Sequence, residues 1–323
     1  MLIAVVMLIA GVAAMQWGAS RAADLLDAYR GRWGLPATAG GALMGIATAT
    51  PETSVNVASV AFGWPDLGLG AALGSNVPAL PLAVLLSWLA SRRAKAGPGA
   101  PAASPEVATE TVPVQVLPYL GVVLLLGALT LPPPIAGLQW YDGVILVAAF
   151  GAYLAHALLR RPWTDRGAMP AGAAWRGLVG LPAVGIGAVV AVIGAQRLGS
   201  GLGVPDLVTG LFAIGLLCAL PESYSAWRFT REGKPTMAIG AVFGDGIVSL
   251  TVALLPPAIV GAAVGNVPIY LLNLGFLAAV LTIYAVLNHR RRGQEIGPLL
   301  VGLFVGGYLA YVAATVFLLV RMT

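Results

Sequence analysis

The sequence predicts an all-α integral membrane protein of ten transmembrane helices, built as two inverted-topology repeats of five. Three observations predict it. The 323 residues are 59% hydrophobic and only 10% charged, which excludes a soluble globular domain. Apolar windows of about 20 residues, each long enough to cross about 30 Å of hydrocarbon, recur ten times. Two Pro-Glu dipeptides, Pro51-Glu52 and Pro221-Glu222, sit in the middle of such windows, 170 residues apart.

In chain order the windows are about 1–20, 36–62, 67–91, 114–133, 139–159, 177–197, 205–229, 236–260, 267–288 and 298–320. The opening MLIAVVMLIAGVAAM has no basic n-region, so it reads as a spanning helix and not as a cleaved signal peptide. Windows two and seven run long, as helices interrupted by proline and glycine do. The Pro/Ala-rich segment Gly97 to Pro113 reads as a flexible linker. Sixteen of the 18 basic residues follow windows one, three, five, seven and nine; Arg197 and Arg321 fall on the other side. By the positive-inside rule the Arg-rich loops are cytoplasmic and both termini external. Scattered in this way, the formal charge of +5 belongs to membrane orientation and not to nucleic acid. Trp33, Trp64, Trp88, Trp140 and Trp227 sit near window ends, as an interfacial belt does, and His156 and His289 share that position. The single cysteine, Cys218, allows no intrachain disulfide.

These windows divide the chain into an N-terminal five-helix repeat (1–159, signature segment 40–80), a short cytoplasmic connector (160–176) and a C-terminal repeat (177–323, signature segment 210–250). Sliding 40–80 onto 210–250 without a gap matches Pro51-Glu52, Pro65, Gly45, Gly70 and Gly74 to their counterparts. Five spans separate the copies, so the second enters the membrane from the opposite side. A pseudo-two-fold axis in the membrane plane then brings Glu52 and Glu222 together near mid-depth. A carboxylate there costs roughly 2.5–3.5 kcal/mol on translocon scales and marks function by default. Thr48, Glu52, Asn56 and Ser59 share one face of span two; Cys218, Glu222 and Ser225 repeat it more thinly. Pro51 and Pro221 cannot donate to the carbonyls of Ala47 and Leu217, which leaves those oxygens available to a cation. The following spans bring Gly74-Ser75-Asn76 and Gly244-Asp245-Gly246 to equivalent places. Asp66, Asp142 and Asp206 lie at outer span ends and read as interfacial.

ATATPE (Ala47 to Glu52) and LCALPE (Leu217 to Glu222) resemble the first signature of the calcium:cation antiporter superfamily, Gly-Thr-Ser-x-Pro-Glu. This is the sodium/calcium exchanger fold of ten helices in two inverted repeats. GSNVPA and GDGIVS are similar to its second signature but place Asp245 at the serine position and Ser249 at the carboxylate position. The resemblance implies a multi-pass protein of a prokaryotic plasma membrane. It also implies exchange of Ca2+, or a similar divalent cation, for H+ or Na+ by alternating access. The ligands it implies are Glu52, Glu222, Asp245, Ser75, Thr48, Asn76 and Asn56, with the carbonyls of Ala47 and Leu217. No cofactor is implied, and one chain suffices for transport whatever the oligomeric state. Three acids against a divalent ion leave one negative charge, so protons or sodium compete for the same groups. Ala49 and Ala219 replace hydroxyls of the signature, which favours protons as counter-ion.

The alternatives are a ten-helix drug/metabolite-type transporter of an organic solute, or a cation channel. The aromatic-poor signature segments argue against the first, and the duplicated broken helices against the second. An enzyme is not expected: the chain carries no HExxH, no Gly-x-Ser-x-Gly and no histidine in the hydrocarbon core.

Overall fold

The computed structural model describes residues 1–34, 37–94, 104–131, 136–159, 173–289 and 294–322. These residues are almost entirely helical, as their composition requires. A backbone in hydrocarbon must satisfy its own hydrogen bonds, and a helix does so within one segment. Among the described residues nine helical segments are long and apolar enough to cross a membrane. The predicted second window is instead two helices of 12 residues, α2 (Ala37–Thr48) and α3 (Thr50–Ala61). They meet at Ala49, whose ψ of 1° leaves the helical range where Pro51 withdraws its N–H.

The other predicted windows correspond to α1 (Leu2–Trp33), α4 (Pro65–Ala94), α5 (Leu117–Thr130), α6 (Trp140–Leu158) and α7 (Ala173–Leu202) in the first part of the chain. After them come α8 (Asp206–Thr209), α9 (Leu216–Arg231), α10 (Pro235–Ser249), α11 (Leu255–Ile259), α12 (Val267–His289) and α13 (Pro298–Met322). α8 and α9 are fused by a π-helical stretch, Gly210–Gly215, into one span; α10 and α11 form another. The second Pro-Glu therefore lies inside a continuous helix. Here the irregularity is displaced upstream into the π-helical turns, so the two copies break their hydrogen-bond ladders differently.

Two expectations are corrected. α1 does not stop near residue 20 but runs 32 residues, so Arg21, Arg30 and Arg32 are helical and not in a loop. At 1.5 Å per residue it is longer than hydrocarbon alone requires. The stretch 97–113 is not a flexible linker throughout. Glu106–Val107 (β1) pairs antiparallel with Gln294–Glu295 (β2), and Val107 and Val112 are buried. Burial of valine supplies the order that the Pro/Ala composition concealed. Residues 95–103 lie outside the described residues, as do Arg160, Arg161, Arg166 and Arg290 to Arg292. The connector's last residues, 173–176, belong to α7.

Glycine sets the packing. α1 and α7 run antiparallel along seven-residue glycine spacings: Gly18 meets Gly180, Gly11 meets Gly187, and Gly194 meets Leu8. Inside the protein, α2 lies along α10 and α4 lies along α9. Gly45 abuts the backbone of Gly244, and Gly215 abuts Gly74 and Ser75. The 170-residue shift exchanges these two contacts. Both copies also end the glutamate helix in the same way. Gly63 (φ 79°) and Gly233 (φ 77°) take the left-handed conformation, and Trp64 N–H and Lys234 N–H return to Ser59 O and Phe229 O. Pro65 and Pro235 then start the next helix.

Candidate cation site

Three acids converge between these crossed pairs. Glu52 stands in the first turn of α3, Glu222 in the middle of α9 and Asp245 near the end of α10. One carboxylate oxygen from each lies within 4.8 Å of the others. Their exposures are 0%, 5% and 1%, and among the described residues none of their six oxygens has a hydrogen bond. At that spacing two unit charges repel by about 3 kcal/mol, even at an effective dielectric of about 20. Such a cluster calls for positive charge.

The hydroxyls beside the acids are Ser75 for Glu52, and Thr48 and Ser249 for Asp245. The close approaches at Gly45 and Gly215 draw α2 onto α10 and α9 onto α4, and so bring the acids into one place. A cleft of about 160 Å³ reaches Glu222 and Thr48. It is lined further by Gln16, Ser20, Asp24 and Arg228, and both Asp24 and Arg228 are exposed to solvent.

Of the residues singled out in the sequence, the structure thus gathers Glu52, Glu222, Asp245, Ser75 and Thr48. Asn56 turns elsewhere: its amide donates to Glu52 O at 3.0 Å, and its Oδ1 faces Gly68 of α4. Asn76 is committed at both ends, donating to Ala72 O (2.6 Å) and accepting from Tyr119 Oη (2.7 Å). The Ala47 carbonyl, expected to be open, accepts the Thr50 hydroxyl at 2.7 Å. It keeps one lone pair for another partner. Leu217 is half-buried, and its side chain joins the apolar cluster around Met15 and Ile214. Asp142 is spent on the start of α6, where it accepts Gln139 N–H at 2.8 Å. Asp206 accepts the Gln196 amide at 3.3 Å.

Two residues were missed. Tyr119 packs its hydroxyl against Gly246, within electrostatic reach of Asp245 and Glu222. Gln16 lines the cleft from α1 and donates to Cys218 O at 3.4 Å. Each carried a signal, as one of the few polar groups in a predominantly apolar span.

The sequence profile described as sodium/calcium exchanger protein matches residues 3–159 and 173–317, which is nearly the whole chain. The chain belongs to the sodium/calcium exchanger family. It is 26% identical over 333 residues to inner membrane protein YrbG of Escherichia coli, spanning 94% of this chain and 95% of that one. It is 24% identical to the putative antiporter CaxA of Alkalimonas amylolytica, spanning 95% and 98%. In fold it is similar to the sodium-calcium exchanger NCX_Mj soaked with Na+ and Sr2+. The TM-score is 0.70 and the identity 20%, over 97% of this chain and 98% of that one. This exchanger is a multi-pass membrane transporter of inorganic cations and not an enzyme. Its family leaves the organic-solute alternative without support.

Proposed function

We propose that the chain is a secondary active antiporter that exchanges Ca2+, or a similar divalent cation, for H+ or Na+ at the Glu52–Glu222–Asp245 cluster. One observation carries the reading: three buried carboxylates, from three helices, brought within 4.8 Å with no hydrogen bond among the described residues. Calcium accepts six to eight oxygens in irregular arrangement. The three acids offer six, and Ser75, Thr48 and Ser249 stand beside them. Asn56 and Asn76 then serve as supports, Asn56 for the Glu52 backbone and Asn76 for Tyr119.

In this reading the chain spans the membrane ten times as two inverted repeats, with α2 and α3 together forming the second span. The exchanged contacts of Gly45 with Gly244 and of Gly215 with Gly74 support that arrangement. The cleft ends at Arg228, on the Arg-rich face, so it is the cytoplasmic half of an alternating pathway. Both termini are external. The hydroxyls absent at Ala49 and Ala219 favour protons as the exchanged ion.

Calcium flux into reconstituted vesicles under separately imposed proton and sodium gradients tests this. A proton gradient is expected to drive uptake, and Glu52→Gln or Glu222→Gln to abolish it in protein that remains monodisperse. Flux driven by neither gradient, or full activity in either variant, overturns the reading.

A further inference from the structure

One buried amide reaches α10 from outside the crossed pairs. Gln115 stands in a π-helical stretch, Val112–Val116, which runs on into α5. Pro118 has no N–H to return to Val114 O, and just upstream Leu117 N–H bonds five residues back, to Val112 O. Gln115 is fully buried, and its Nε2 donates to Gly240 O at 3.1 Å. The amide fills a slot that two glycines leave open where α2 lies along α10. A methyl group on Gly41 would stand 2.9 Å from Nε2, and one on Gly240 would stand 2.8 Å from Oε1. One turn further along both helices Gly45 meets Gly244, and Asp245 is the next residue. One turn further along α5, Tyr119 packs its hydroxyl against Gly246. α5 therefore holds α10 at Gly240 and at Gly246, with Asp245 between. The Asp245 oxygens have no hydrogen bond among the described residues, so the α10 backbone sets where they stand.

We propose that Gln115 is a positioning residue for Asp245: through Gly240 it fixes the depth and rotation of the α10 segment that carries the third acid. The inference rests on the cation-exchange reading above, in which that acid couples the second cation. Gln115 acts from one helical turn away, so its loss should alter coupling and spare the grip of Glu52 and Glu222 on Ca2+. The titratable groups that face Asp245 are Glu52 of α3, Glu222 of α9 and Tyr119 of α5. α2 and α4 bring Thr48, Ser75 and Asn76, which do not titrate, and Cys218 lies in the apolar cluster with Met15 and Ile214. An Asp245 set further from the ion attracts it less when ionised, so protonating it costs less affinity.

Gln115→Met keeps the length of the side chain and removes the donor. Calorimetric titration of detergent-purified protein with Ca2+ is expected to show binding retained, with a severalfold smaller loss of affinity on acidification than in the wild type. In Asp245→Asn the same change should have no further effect. Thr130→Val breaks another buried hydrogen bond of α5, with Tyr270 Oη at 2.8 Å, and should leave the pH dependence as it is. A second readout needs no calcium. In infrared difference spectra between acid and alkaline protein, the carboxyl band that disappears in Asp245→Asn should shift in Gln115→Met. Gln115→Asn, one carbon too short to reach Gly240 O, serves if the methionine variant does not fold. A pH dependence as steep as in the wild type, a band that stays in place, or the same effects in Thr130→Val overturn the inference. If the wild type binds no Ca2+, or binds it alike at every pH, proton exchange falls instead, and the infrared band alone decides the role of Gln115.

Discussion

At the scale of single residues, the exchanger concentrates its charge where the surroundings are least able to tolerate it. Glu52 and Glu222 alone match a divalent ion in charge, and Asp245 is then the surplus acid. In the antiport proposed above, that surplus would couple a second cation to the first. Asp245→Asn is expected to keep Ca2+ binding, measured by titration calorimetry, while flattening its dependence on pH. In the wild type, affinity should fall as pH drops, because protons compete for the third acid. Tyr119→Phe removes the hydrogen bond that Tyr119 donates to Asn76 Oδ1, 2.7 Å long and next to Gly246. The amide is then able to swing toward the acids, and the half-saturating Ca2+ concentration is expected to shift severalfold in flux assays. The three acids were legible in the sequence because a carboxylate in an apolar run stands out. Asn56 and Asn76 were not placed correctly. Helical spacing says which residues share a face, yet one face of α3 meets both the cluster and α4 at Gly68.

Helices make a second level, where local sequence decides shape. The Gly63 and Gly233 turns were marked by the glycine and the proline two positions on, and both take the same left-handed conformation. Alanine at either is strained, at a cost of about 1 kcal/mol, and a lowered thermal midpoint should report it. Gly31→Ala, in α1 with nothing within 4 Å of the added carbon, is the contrasting control and should hold or raise the midpoint. A methyl group at Gly45 is a different matter, since it runs into the Gly244 carbonyl carbon and not a flexible side chain. Gly45→Ala is expected to lose about 1–3 kcal/mol, or to part α2 from α10. The yield of folded protein and its Ca2+ binding distinguish these outcomes. The π-helical stretch Gly210–Gly215 was not legible. Pro221 announces a missing hydrogen bond, but where a helix absorbs the defect depends on what packs against it, here Gly74 and Leu67 of α4.

Across the whole molecule, hydropathy was enough to find the nine long apolar helices among the described residues, because hydrocarbon imposes length and polarity on every segment that crosses it. It could not show that α1 continues to Trp33, since a helix outside hydrocarbon needs no apolar run. Nor could it show that β1 and β2 join the approaches to α5 and α13, because a two-residue strand has no periodicity to read. The cleft gives a prediction at this scale. Ala23→Trp, on its wall and away from the acids, should slow Ca2+ flux several-fold while equilibrium Ca2+ binding to detergent-purified protein persists. Unchanged flux would mean that ions reach Glu222 by another route.

The reciprocal contacts of Gly45 with Gly244 and of Gly215 with Gly74 make each half the mould of its twin. Bulk added to one must be carved out of the other, so a lone change at these crossings is a misfit wherever it arises. The halves are free to differ only where no such close approach binds them. A duplicated chain of this kind can alter what it grips far more readily than how its arms are crossed.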